Sequence, residues 1–110
     1  MGRGIRYYPD YALHASGKNG GEHADFIWEA KYRIPTKKQL LEDFGQAKSY
    51  AMRLGTNGVG LVSMEGIWVV AAEDHFNFEK LEKYSWEELE DPEIFAELKS
   101  FLYKLAKPKR

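Results

Sequence analysis

Leu40, Phe44, Ala47, Ala51 and Leu54 recur at steps of 4, 3, 4 and 3. That spacing lines one face of an α-helix with apolar side chains. Thr36 with Gln39 three residues on has capping-box form, and Gly55 stands where a left-handed C-cap belongs, so a helix is expected from there to Leu54. The flanking segments have a different character. Residues 5–15 are aromatic-rich and read as a strand, with Pro9 at a bulge or sheet edge. Glycine-rich residues 17–21 make a turn, and residues 24–33 read as the second strand of a hairpin, stopped by Pro35. Residues 58–64 and 67–72 read as two further short strands joined at Glu65-Gly66. Ser85-Trp86-Glu87-Glu88 is a second capping box, opening a short helix. Asp91-Pro92 pairs an N-cap with a proline at the first helical position and starts a last helix to about Ala106. The expectation is one α/β domain over residues 1–110: a hairpin, a helix and two more strands in one mixed sheet, with C-terminal helices packed on it.

Composition narrows the class. There is no cysteine, which excludes disulfides, thiolate zinc ligation and thiol catalysis. No apolar run approaches the roughly 20 residues of a membrane span, and Met1 is followed by Gly2-Arg3-Gly4 rather than an apolar signal core. A cytoplasmic protein is expected. The net charge of −1 hides a strong asymmetry: residues 1–72 carry 9 basic and 7 acidic side chains, residues 73–97 carry 2 and 10, and residues 98–110 carry 5 and none. Attraction of a polyanion depends on the local field, and the mildly basic part is where the candidate chemistry lies. The acidic block and the basic tail read as a solvated face and a frayed end.

That chemistry is an ordered set: Pro9-Asp10, then Glu29-Ala30-Lys31, then Gln46 and Tyr50. Two residues apart on a strand, Glu29 and Lys31 leave the same face, with Trp28, Ala30 and Tyr32 on the other. Asp10 on the neighbouring strand reaches that face if the hairpin register is right. Two carboxylates with a backbone carbonyl, for which Ala30 is the candidate, suit a hard cation such as Mg²⁺ or Mn²⁺. The metal would polarise a scissile phosphate, and Lys31 would orient the attacking water or neutralise charge at phosphorus. Gln46, Tyr50 and Arg53 follow at steps of 4 and 3 on a different helix face from the apolar stripe.

At Pro9-Asp10 and Glu29-Ala30-Lys31 the chain resembles the PD-(D/E)xK nuclease superfamily. Within it, the chain looks most like the N-terminal nuclease domain of type I restriction enzyme R (motor) subunits. Pro9-Asp10-Tyr11-Ala12-Leu13, Glu29-Ala30-Lys31, Gln46-Ala47-Lys48-Ser49-Tyr50-Ala51 and Leu54-Gly55 carry that closer likeness. The resemblance implies a restriction-endonuclease-like mixed β-sheet flanked by helices and a Mg²⁺- or Mn²⁺-dependent DNA endonuclease activity. It implies Asp10, Glu29 and Lys31 as catalytic residues. It further implies metal held by Asp10, Glu29 and the Ala30 carbonyl, and Gln46 and Tyr50 contacting DNA or supporting the site. Translocase and methylation or specificity subunits would choose where to cut. Members usually carry a helix ahead of the Asp strand; only eight residues precede Pro9, so that helix is expected to be missing here.

Two other readings compete. One keeps the nuclease fold as a catalytically inactive module for DNA or protein binding. The other is a small homo-oligomer whose bare sheet face is covered by a second copy. His14, His23 and His75 lack metal-ligand spacing. Residues 55–60 are glycine-rich but follow a helix and lead into a strand, the wrong order for a phosphate loop. Lys48 and Arg53 read as solvated charges. Trp68, Trp86, Phe95, Phe101 and Tyr103 are expected in the core rather than on a base-stacking surface.

Overall fold

The crossover from one parallel strand to the next organises the chain. In the computed structural model, which describes residues 11–13 and 23–106, strand β2 (Phe26–Ala30) leads into helix α1 (Lys37–Leu54), which returns the chain to β3 (Gly58–Ser63) parallel to β2. Strand β1 (Tyr11–Leu13) pairs antiparallel with β2, β4 (Gly66–Ala71) with β3, and β5 (Glu82–Tyr84) with β4. Among the described residues these form one five-stranded mixed sheet in the order β1-β2-β3-β4-β5. Helix α2 (Pro92–Ala106) closes the chain. The expected α/β architecture with a mixed sheet is what the chain adopts.

Period-two alternation gives the sheet two buried faces. Ile27, Val59, Leu61, Trp68 and Val70 pack with Phe44, Ala47, Ala51 and Leu54 of α1. Phe26, Val69, Ala71 and Tyr84 pack with Leu98 and Leu105 of α2, with Trp28 and Phe101 alongside. Each face therefore carries a helix. Gly58 and Gly60 belong to β3, not to a phosphate loop. A Cβ at Gly60 would lie 2.4 Å from Trp28 Cζ3, and one at Gly58 2.5 Å from Leu105 Cδ1, so only glycine leaves room for these side chains.

The helix boundaries follow local chemistry. Thr36 Oγ1 accepts from Gln39 N–H at 3.1 Å, and Gly55 closes α1 in the left-handed region at φ 64°. The Gln39 amide, however, donates to Asp43 Oδ1 at 3.1 Å. The second box is reciprocal: Glu88 N–H donates to Ser85 Oγ and Ser85 N–H to Glu88 Oε1, opening a single 3₁₀ turn at Glu88–Glu90. Asp91 Oδ1 takes the Glu93 N–H at the start of α2.

Four sequence expectations need correction. The strand expected over 24–33 spans only Phe26–Ala30. The turn between β3 and β4 is Met64-Glu65, with Gly66 already in β4 at φ 142°. Strand β5 was not anticipated, since Glu82 and Lys83 are exposed and carry no apolar alternation. Trp86, Phe95 and Tyr103 are not core: they are 45%, 48% and 73% exposed, whereas Trp68 is buried as expected. Of the strand expected over 5–15, Tyr11–Leu13 is described; Pro9, Asp10 and His14 lie outside the described residues. Among the described residues, no helix is long and apolar enough to cross a membrane.

Candidate active site

Glu29 is the penultimate residue of β2, opposite Leu61 of β3, and is buried at 6% exposure. By alternation it follows Ile27 on the face that α1 covers. Strand β2 ends at Ala30, yet Lys31 N–H still donates to Val62 O at 2.9 Å. That bond carries the ladder one residue further and keeps Lys31 in line with Glu29. The Lys31 ammonium then reaches α1, where Nζ donates to Gln46 Oε1 at 3.4 Å. Glu29, Lys31 and Gln46, separated by up to 17 positions in sequence, thus share one corner between β2 and α1.

Tyr50 sits differently from its expected place. It lies one turn beyond Gln46, but at 7% exposure it is part of the apolar cluster under α1. The Arg53 guanidinium carbon stands 5.9 Å from its ring centroid. Gln46 and Arg53 are exposed. The buried face of α1 is wide enough to take in Tyr50, so the polar stripe is narrower than the spacing suggested.

Two carboxylates near this corner escaped the sequence reading. Asp43 is 6% exposed; its Oδ1 holds the Gln39 amide, while Oδ2 has no hydrogen-bond partner among the described residues. The visible signal was the run Gln39, Asp43, Gln46 at steps of 4 and 3 beside the apolar stripe. Glu65, in the β3–β4 turn, accepts from Ile34 N–H at 2.8 Å, from Ser63 Oγ at 2.9 Å and from Arg33 Nε. The Ile34 N–H, then the Arg33 and Ser63 hydrogen bonds and the Arg33 charge, hold its carboxyl at about 2, well below the ordinary 4.5. This clamp fixes the segment that leaves β2 immediately after Lys31. Sequence spacing does not announce it, because Ile34 and Arg33 lie 31 and 32 positions away and only Ser63 is a near neighbour.

The donors present at the corner are oxygen: the Glu29 carboxylate and the Ala30 carbonyl at the exposed end of β2. These are of the kind a hard cation takes. Among the described residues no three His, Cys, Asp or Glu side chains gather to hold a metal. The third donor expected from sequence, Asp10, lies outside them. Its chain neighbour Tyr11 pairs with Trp28, the residue before Glu29. His23, expected on the surface, is exposed and 3.2 Å from Asp25 Oδ1; His75 is exposed in a left-handed turn at φ 60°. Comparison with protein-family models, curated proteins and solved structures finds no match to this chain.

Proposed function

We propose that this chain is a restriction-endonuclease-like nuclease domain of the PD-(D/E)xK type, cutting DNA phosphodiesters with the help of Mg²⁺ or Mn²⁺. The observation that supports it best is the 3.4 Å contact between Lys31 Nζ and Gln46 Oε1, which joins the Glu-x-Lys strand to the Gln-x-x-x-Tyr helix. In this reading Asp10, Glu29 and the Ala30 carbonyl hold the cation, which supplies Lewis-acid polarisation of the scissile phosphate.

The chain's own residues do the rest. Burial of Glu29 under α1 keeps its carboxylate in a site of low dielectric, where its attraction for a cation is strong. Lys31, placed in line with Glu29 by the extended ladder, offers its ammonium to the phosphate oxygens that gain charge during attack. Gln46 orients that ammonium through its amide oxygen and leaves its amide N–H₂ available to a phosphate. Tyr50 supports the corner from within the core rather than touching DNA with an open ring face. No element described here reads base sequence or drives translocation, so target choice falls to partner subunits such as those of a type I restriction system.

The test is nicking of supercoiled plasmid by the purified chain with Mn²⁺ or Mg²⁺, beside Lys31→Ala and Asp10→Ala. Cleavage by the parent and its loss in both variants is the expected result. Cleavage that survives both variants would sink this assignment. A parent that binds DNA but never cuts would favour the inactive binding module.

A further inference from the structure

Strand β2 and helix α1 run in opposite directions, tied together at one end where Ala24 N–H donates to Leu54 O at 3.3 Å. From that tie Glu29 stands 5 residues along the strand, about 16 Å. Asp43 stands 11 residues back along the helix, also about 16 Å. The two carboxylates are therefore level with each other. Glu29 is on the sheet face that α1 covers. Asp43 lies on the flank of α1 that turns to β2: Gln39 and Gln46 share that flank at steps of 4 and 3, and Gln46 is the residue that meets Lys31. Glu29 and Asp43 are each only 6% exposed.

Asp43 has one oxygen answered and one not. Its Oδ1 holds the Gln39 amide, while Oδ2 is sealed from solvent and has no hydrogen-bond partner among the described residues. A buried carboxylate oxygen left alone is costly and calls for a partner. Lys31 is drawn to Gln46 and Arg33 to Glu65, so neither answers Oδ2. Two carboxylates facing each other across a dry interface repel when both are charged, and a divalent cation between them removes that cost. Oxygen donors of this kind, with the Ala30 carbonyl and waters to complete the shell, suit Mg²⁺ or Mn²⁺.

We propose that Asp43 is a metal ligand, its Oδ2 binding the divalent cation of this corner opposite Glu29. The proposal adds to the ligand set of Asp10, Glu29 and the Ala30 carbonyl, and it rests on the nuclease reading for what the cation does there.

Mn²⁺ binding measured without DNA separates the two. The full chain is titrated with Mn²⁺ in a calorimeter beside Asp43→Asn and Lys31→Ala. Asparagine keeps the shape of the side chain and still accepts the Gln39 amide through Oδ1. Asp43→Asn should weaken Mn²⁺ at least about 10-fold, the lower end of what even an outer-shell change costs; Lys31→Ala should not weaken it. In EDTA the urea midpoint of Asp43→Asn should match or exceed the parent's, because a buried carboxylate without a partner is gone. Saturating Mn²⁺ should then raise the parent's midpoint more than the variant's. The parent alone gives a reading that depends on no variant: at substoichiometric Mn²⁺ the amide signals of Glu29, Ala30 and Asp43 should broaden before those of the acidic residues 87–93. A parent that binds no Mn²⁺, or an Asp43→Asn chain that binds it as tightly, overturns the proposal. So does a midpoint loss that is the same with and without Mn²⁺, which makes Asp43 a structural acceptor for Gln39. Broadening centred on residues 87–93 also overturns it and marks an adventitious ion only. Nicking that needs Lys31 while Asp43→Asn keeps both nicking and Mn²⁺ affinity leaves the nuclease and removes this ligand. Mn²⁺ binding that needs Asp43, in a chain that never nicks, does the reverse.

Discussion

Lys31 and Gln46 stand 15 positions apart in the chain, and a single contact of 3.4 Å between ammonium and amide oxygen brings strand β2 and helix α1 to one point. The ammonium keeps further donors for a phosphate, since three N–H bonds cannot all be spent on one acceptor. Lys31→Ala should therefore cost roughly 10²- to 10³-fold in nicking rate, as loss of a charge-stabilising donor does. Gln46→Ala should cost less, about 10-fold, because it releases the ammonium without removing it. In the double variant the Gln46 effect should shrink to whatever its own amide N–H₂ gives a phosphate. Initial rates of plasmid nicking in Mn²⁺ across the four chains check this; equal, additive losses would mean that the two residues act separately.

Tyr50 and Gln46 should part company when stability is measured. Tyr50 is packed among Phe44, Ala47 and Ala51, so Tyr50→Ala removes a buried ring and should destabilise by about 3 kcal/mol. Gln46 is exposed, and Gln46→Ala should stay within about 0.5 kcal/mol. Urea unfolding followed by far-ultraviolet circular dichroism gives both numbers. A neutral Tyr50→Ala would show that the ring contributes nothing to the core under α1.

The two helices show which features a sequence declares and which it hides. The bounds of α1 were legible because Thr36 and Gly55 act on their own neighbours. Tyr50 was misplaced because spacing gives the direction of a helix face but not the width of its buried arc. In α2 the stripe Ile94, Leu98, Phe101 and Leu105 runs at steps of 4, 3 and 4 and packs on the sheet. Phe95 and Tyr103 fall off that stripe, and treating every aromatic as core hid the fact. Strand β5 is set by pairing with Ile67–Val69, a non-local event that three residues cannot announce. The shared face of Glu29 and Lys31 followed from strand period; that Gln46 belongs with them was implied only by the resemblance, and the Glu65 clamp, built from residues across a turn, was announced by neither.

That clamp should be visible in the pH dependence of folding. Glu65 is held at about 2 in the folded chain against an ordinary 4.5. A carboxyl depressed by folding stabilises the native state fully above its unfolded value, and that stabilisation fades as pH falls towards the folded value. The Glu65 contribution should thus be complete above about pH 4.5 and lost progressively down to about pH 2. Glu65→Gln should lower the urea midpoint near pH 7 and narrow its gap to the parent as the pH drops through this window. A gap that stays constant with pH would show that the carboxylate charge contributes nothing.

Gly60 and Trp28 offer a test of the sheet face under α2. An alanine Cβ at position 60 would lie 2.4 Å from Trp28 Cζ3 and 2.6 Å from Cε3, closer than any carbon contact tolerates. The ring cannot simply swing away, because its centroid packs 5.1 Å from that of Phe26, which is fully buried. Gly60→Ala should therefore destabilise by about 1–3 kcal/mol, the range for overpacking. Trp28→Leu should also destabilise by itself, through lost ring burial. Combined, the two should cost less than their sum, since leucine vacates the volume that the new methyl needs. Urea midpoints for the parent, both single variants and the double variant decide it; strict additivity would mean that the backbone of β3, rather than the Trp28 ring, yields to the added methyl.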